Sequence, residues 1–164
     1  MKRALALIAL AAPLIAMADS PDTSFYKKAS EGGMAEVEAG NLAQSKANSQ
    51  KVKEFGAMMV KDHSAANDKL SALAASKDVT LPTSSSVGQM ATRAKLEVLT
   101  GDTFDKSYIK GQIDAHQSTL ALFRKEIASG QDPDAKAFAA ATMPTIRSHL
   151  KAISVIAADA GVTK

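Results

Sequence analysis

From Ser20 to Gly161 apolar residues recur every three or four positions, and no stretch alternates strictly. That period belongs to amphipathic helices rather than strands. The start and stop signals divide the chain into four long helices. Ser20-Pro21-Asp22 has the cap, proline and acid order of a helix start, and the helix is expected to run to about Ala47. Asn48 and Ser49 form a short turn, with Ser49 expected to cap a second helix from roughly Gln50 to Ser76. Between Asp78 and Gly101 the pattern lapses at Pro82, Ser84-Ser85-Ser86, Gly88 and Gly101, leaving only Val87 to Leu99 as a short extra helix. Asp102 is expected to cap a third long helix that ends near Ser129 at Gly130. Asp132-Pro133-Asp134 opens a fourth, which Gly161 closes. Pro144 falls inside that last helix, where it removes a backbone hydrogen bond and predicts a kink.

Two short turns make two antiparallel hairpins. The link between them is long enough to travel the length of a bundle and reverse direction. The predicted fold is therefore all-α, a ferritin-like four-helix bundle with one long crossover carrying a short helix.

The first eighteen residues stand apart. Met1-Lys2-Arg3 is basic, Ala4 to Met17 is apolar apart from Pro13, and Ala16-Met17-Ala18 offers small residues at a cleavage site. This is the pattern of a secretory signal peptide, 1–18, with cleavage after Ala18, leaving 19–164 as a single domain. Nothing later is long and apolar enough to cross a bilayer. The expected location is exported and periplasmic.

Measured around a helix at about 100° per residue, each rod has one mainly apolar stripe, and a polar residue sits in the middle of each. Glu36 lies among Phe25, Ala29, Gly40, Ala43 and Ala47. His63 lies among Val52, Met59 and Leu70. His116 lies among Ile109, Leu120, Phe123 and Ile127, and His149 among Phe138, Ile153, Ile156 and Ala160. These are all 3 histidines of the chain. Height agrees as well. Glu36 and His63 lie at nearly equal distances either side of Ser49, and His116 and His149 at similar distances either side of the Gly130–Asp132 turn. The four side chains are thus expected in one layer at mid-bundle.

Composition narrows the chemistry. With 0 Cys among 164 residues, disulfide scaffolds, thiolate metal sites and thiol catalysis are excluded. The formal charge of +3 includes Lys2 and Arg3, so the mature chain is nearly neutral and has no clustered basic face for a nucleic acid. Three imidazoles and a carboxylate match the ligand set of zinc, iron, copper or manganese. A cation would also compensate a buried carboxylate. Glu36, His63, His116 and His149 are accordingly the expected ligands of one transition-metal ion. Gln112 and Asn67, each one helical turn from a histidine, are placed to orient the rings. Met59, one turn before His63, is expected in the core, with soft copper ligation as the sharper alternative. Asp62 and Asp114 lie beside or behind the histidine stripes, at the surface or supporting a ring. Val60, Ile113 and Ile146 occupy the positions three before each histidine, so the Glu-x-x-His pairs of a diiron centre are missing.

Two other readings stand beside metal binding. A histidine–glutamate layer could serve packing alone, in a structural or interaction protein without catalysis. Alternatively, a bound metal could support redox or peroxide chemistry, which needs an open coordination position.

Four stretches carry a resemblance that spans the mature chain: Phe25 to Ala43 with Ala35-Glu36-Val37-Glu38, Met59-Val60-Lys61-Asp62-His63, His116 to Phe123, and Met143-Pro144 to His149-Leu150. In their order and spacing the chain resembles the bacterial domain-of-unknown-function 4142 family. The resemblance implies a ferritin-like bundle in the periplasm or envelope, with the family's recurring Glu and His at Glu36, His63, His116 and His149. It implies no established reaction. Some members carry an outer-membrane label, but this sequence has no barrel-strand pattern to support one.

Overall fold

A computed structural model describes residues 20–162; the expected signal peptide lies outside them. Five helices follow in order: α1 (Pro21–Lys46), α2 (Gln50–Ala75), α3 (Val87–Glu97), α4 (Gly101–Ser129) and α5 (Pro133–Asp159). Each boundary has a local cause. Ser20 caps α1 by accepting the Thr23 amide at 3.1 Å, with Pro21 in the first turn. Asp132 caps α5 by accepting from the Asp134 amide at 2.9 Å. A reciprocal capping box between Ser86 and Gln89 starts α3. Helix α5 runs unbroken through Pro144.

Two caps differ from expectation. Thr100, not Asp102, precedes α4, and the Asp102 carboxylate instead accepts from Asn48 Nδ2 at 3.0 Å. Ser49 occupies the cap position of α2, but its side chain makes no capping bond. The Asn48 and Ser49 amides donate to the buried Asp105 carboxylate of α4, at 3.0 and 2.7 Å. An acid from a neighbouring rod thus satisfies the amides of the turn that precedes α2, since a buried N–H needs an acceptor but not a local one. The opposite end repeats the device: Asp22 of α1 accepts from the Gln131 and Asp132 amides, at 2.7 and 3.0 Å, in the turn between α4 and α5.

These end contacts fix the directions. The α1–α2 turn lies against the start of α4, and the α4–α5 turn against the start of α1. Lys51 near the start of α2 pairs with Asp159 at the end of α5 at 2.7 Å. If α1 runs up, then α2 and α4 run down and α5 runs up. The connection from α2 to α4 therefore travels the length of the bundle, and α3 packs on α1 and α4 along the way. Helix α1 packs on α2 and α4, and α5 on α4 and α2.

The closest crossing is between α1 and α2. A Cβ on Gly40 would stand 2.7 Å from the Gly56 carbonyl, and one on Gly56 would stand 2.7 Å from the Gly40 carbonyl. Only glycine at both places allows this backbone approach.

The apolar core is in two parts. One, toward the α1–α2 turn, includes Ala43, Phe55, Met59, Phe104, Tyr108 and Ile153. The other, toward the α4–α5 turn, includes Phe25, Tyr26, Leu70, Phe123 and Ile146. On each of the four long rods, the residue between the two parts is Glu36, His63, His116 or His149. A polar layer thus divides the interior at mid-height.

Candidate metal centre

His63 of α2, His116 of α4 and His149 of α5 converge in this layer. Each offers one ring nitrogen to a group whose members all lie within 4.8 Å of one another. Their ring centroids are 5.4 to 5.8 Å apart. Phe55 lies beneath, its ring 6.3 and 6.4 Å from those of His116 and His149. His116 and His149 are almost wholly buried, whereas His63 is half-buried with its Nε2 sealed from solvent.

Hydrogen bonds select one nitrogen on two of the rings. His116 Nδ1 lies 2.9 Å from the Gln112 carbonyl, a pure acceptor, so this nitrogen carries the proton and Nε2 keeps a lone pair. His149 Nε2 lies 2.9 Å from Asp62 Oδ2, so Nε2 donates to the carboxylate and Nδ1 keeps its lone pair. The buried nitrogens left without a partner are His63 Nε2, His116 Nε2 and His149 Nδ1. Leaving buried polar atoms unpaired is costly, and these are three in one place.

Charge on His63 and His149 is disfavoured. Burial pushes the His63 imidazole down to about 3, and charge on His116 and His149 would push the same way. Burial also lowers His149, with the Asp62 hydrogen bond opposing. His63 and His149 are therefore held neutral, the state in which imidazole binds a metal.

Glu36 is in the layer but outside the triangle. Its Oε2 accepts from Gln112 Nε2 at 2.7 Å, and its Oε1 is 3.8 Å from His116 Nδ1, the nitrogen already engaged by Gln112. Burial pushes its carboxyl above the ordinary carboxylate range, against the opposing pull of His116 and Gln112. Gln112 thus binds twice, its backbone carbonyl accepting from His116 and its side-chain amide donating to Glu36. Asn67 packs its amide against the α1 backbone at Gly33 and, with His63, lines a cavity of about 40 Å³. Met59 is fully buried in the apolar cluster, against Gly40.

Sequence alone puts Asp62 at the surface or in support, because a residue adjacent to His63 points about 100° away from its stripe. That direction is toward α5, and it lets the carboxylate reach His149. Asp62 and Gln112 supply the outer contacts that fix ring orientation at metal sites. Nitrogens around a single ion bound at about 2.0–2.1 Å stand roughly 3.5 Å apart, so closing the triangle needs a contraction of roughly an ångström. The residues present therefore fit a transition-metal ion.

Among the described residues, no helix is long and apolar enough to cross a membrane. Three solved structures share the fold over most of their length. A candidate secreted DUF305 protein from Streptomyces coelicolor has a TM-score of 0.74 at 15% identity, covering 88% of this chain and 96% of that one. A DUF305 fragment from Deinococcus radiodurans scores 0.74 at 12% identity, covering 85% and 96%. CopM in its Cu(I)-bound form scores 0.71 at 13% identity, covering 86% and 98%. At these identities the likeness is one of fold. Comparison with curated proteins finds no match. The family model described as a domain of unknown function, DUF4142, matches residues 9–156, and the chain belongs to that family.

Proposed function

We propose that the protein is exported and binds one transition-metal ion through His63 Nε2, His116 Nε2 and His149 Nδ1, in metal handling or envelope stress defence. The observation that carries this reading is the convergence of three histidines from three helices, each with one buried ring nitrogen left without a partner. A cation satisfies all three at once. Glu36, linked to His116 through Gln112, stands beside the site rather than in the triangle, whereas the sequence pattern leads one to expect direct ligation. The ligand set is nitrogen-only and borderline, which suits copper, zinc and iron(II) better than hard cations. Copper is the first to test, since CopM of similar fold was solved with Cu(I). The N-terminal signal-peptide pattern supports export.

Native mass spectrometry with elemental analysis, on protein purified without an affinity tag, is expected to give near one metal per chain. Replacing His116 by Ala should abolish it. A protein that takes up no metal, and whose melting temperature ignores copper, zinc, iron and manganese, overturns the reading.

One observation favours packing instead: the three imidazoles and Phe55 meet mostly edge to face, as aromatic side chains do in cores. On that reading His116→Leu keeps or raises stability, and a large loss contradicts it.

A further inference from the structure

The crossover helix does not lie flush on the bundle. Between α3, α1 and α4 runs an open groove of about 570 Å³. Small residues make room for it, Gly32, Ala35 and Ala39 on α1 and Gly111 and Ala115 on α4, among larger lining side chains such as Lys28, Glu36, Tyr108 and Leu122. A Cβ built on Gly111 would meet nothing within 4 Å. The roof is lightly held. Leu96 is the buried residue of α3, and the remaining ties to α1 are polar. Ser85 Oγ donates to Glu38 Oε2 at 3.2 Å, Arg93 stands 3.9 Å from the same carboxylate, and Lys46 Nζ donates to the Glu97 carbonyl.

The groove does not stop at the surface of the bundle. Lys28, Gly32, Glu36, Thr119 and Leu122 line both this groove and the inner cavity of about 40 Å³ that touches His63. One shared partition, with Lys28 and Glu36 as its large polar side chains, separates the groove from the histidine layer. The inner cavity has room for a few water-sized occupants, enough for an ion that has shed most of its hydration shell. On the α2–α5 side of the layer, His149 Nε2 is bonded to the partly exposed Asp62 carboxylate.

We propose that the groove roofed by α3 is the entrance through which the ion reaches His63, His116 and His149, passing Glu36 at the partition. This rests on the metal-binding reading above and adds to it a route and a movable roof. A route, unlike a ligand, changes rates in both directions without changing the equilibrium.

Two variants test it from opposite sides. Gly111→Phe fills the groove from a position whose Cβ faces open space, away from the histidines; Leu96→Ala removes the apolar anchor of the roof. Uptake of Cu(I) supplied as the metal alone in anaerobic buffer, and its removal by excess chelator, are followed by stopped flow beside the equilibrium affinity. Gly111→Phe is expected to slow uptake and removal by tenfold or more, and Leu96→Ala to speed both, with affinity within about twofold of the unsubstituted protein. Unchanged rates in both variants, with one ion still bound per chain, overturn the route and leave the metal site standing. No ion bound by the unsubstituted protein overturns both.

Discussion

Asp62 Oδ2 accepts from His149 Nε2 at 2.9 Å, across the interface between α2 and α5. Neighbours in sequence, Asp62 and His63, therefore serve two different rings: one fixes the tautomer of His149, and the other presents its own nitrogen. A carboxylate behind a metal-binding imidazole raises its basicity and holds its orientation. Replacing Asp62 by Asn is expected to lower metal affinity by about 10- to 100-fold, with helical content unchanged. Competition titration against a chelator of known affinity measures this. An unaltered affinity would mean that Asp62 does not govern the ring.

Acid should weaken the metal-free protein through His63. Its folded-state value is depressed, from an ordinary 6.5 to about 3. The unfolded chain thus takes up a proton at a higher pH than the folded one. Stability from the neutral ring is complete above about 6.5 and is lost as pH falls toward 3. Ring proton shifts in an NMR titration are expected to show His63 still neutral at pH 5, and His63→Leu should flatten the fall of melting temperature between pH 6.5 and 4.

The α4–α5 end of the bundle responds in the opposite sense to the mid-height layer. Glu126 is buried beside Asp22 and shares a side-chain hydrogen bond with it. Burial, that bond and the charges of Asp22 and Asp132 push its carboxyl up to about 7, with Lys136 opposing. Tyr26, which donates to Asp132 at 2.8 Å, and Lys77, paired with Asp132 and Asp134, complete the surroundings. A raised carboxyl value means that the folded state prefers the proton. Its contribution is full below about 4.5 and gone once pH passes about 7. Glu126→Gln keeps a donor for Asp22 without the charge. The variant is expected to match the parent at pH 5 and to melt higher at pH 8, as read by circular dichroism.

Gly40 and Gly56 leave no room for a methyl group on either side of the α1–α2 crossing. Gly56→Ala should cost about 1–3 kcal/mol despite the better helix propensity of alanine, because the backbones must separate. Denaturant unfolding gives the value. A neutral or stabilising effect would show that the two rods can part at no cost.

Most of the architecture could be read from periodicity, since caps, prolines and glycines punctuate long amphipathic runs. The shared height of the three histidines followed from counting residues to the turns. Lateral detail did not. Glu36 was placed on the right face, but helical spacing cannot say which neighbouring group a carboxylate will meet, and Gln112 holds it at the Nδ1 side of His116. Asp62 looked peripheral because its partner belongs to a rod 87 residues away in sequence. Asp105 was invisible as a cap for the same reason: the amides it satisfies are in another hairpin.

The crossed clasps of Asp105 and Asp22 have a consequence for how the molecule comes together. Each hairpin ends in a bend whose amides are satisfied only by an acid lent by the other hairpin. Neither half is finished by itself, and the triangle of imidazoles is split between them, one ring on the first half and two on the second. Assembly should therefore be all or none, with ion capture becoming available only at the moment the halves lock.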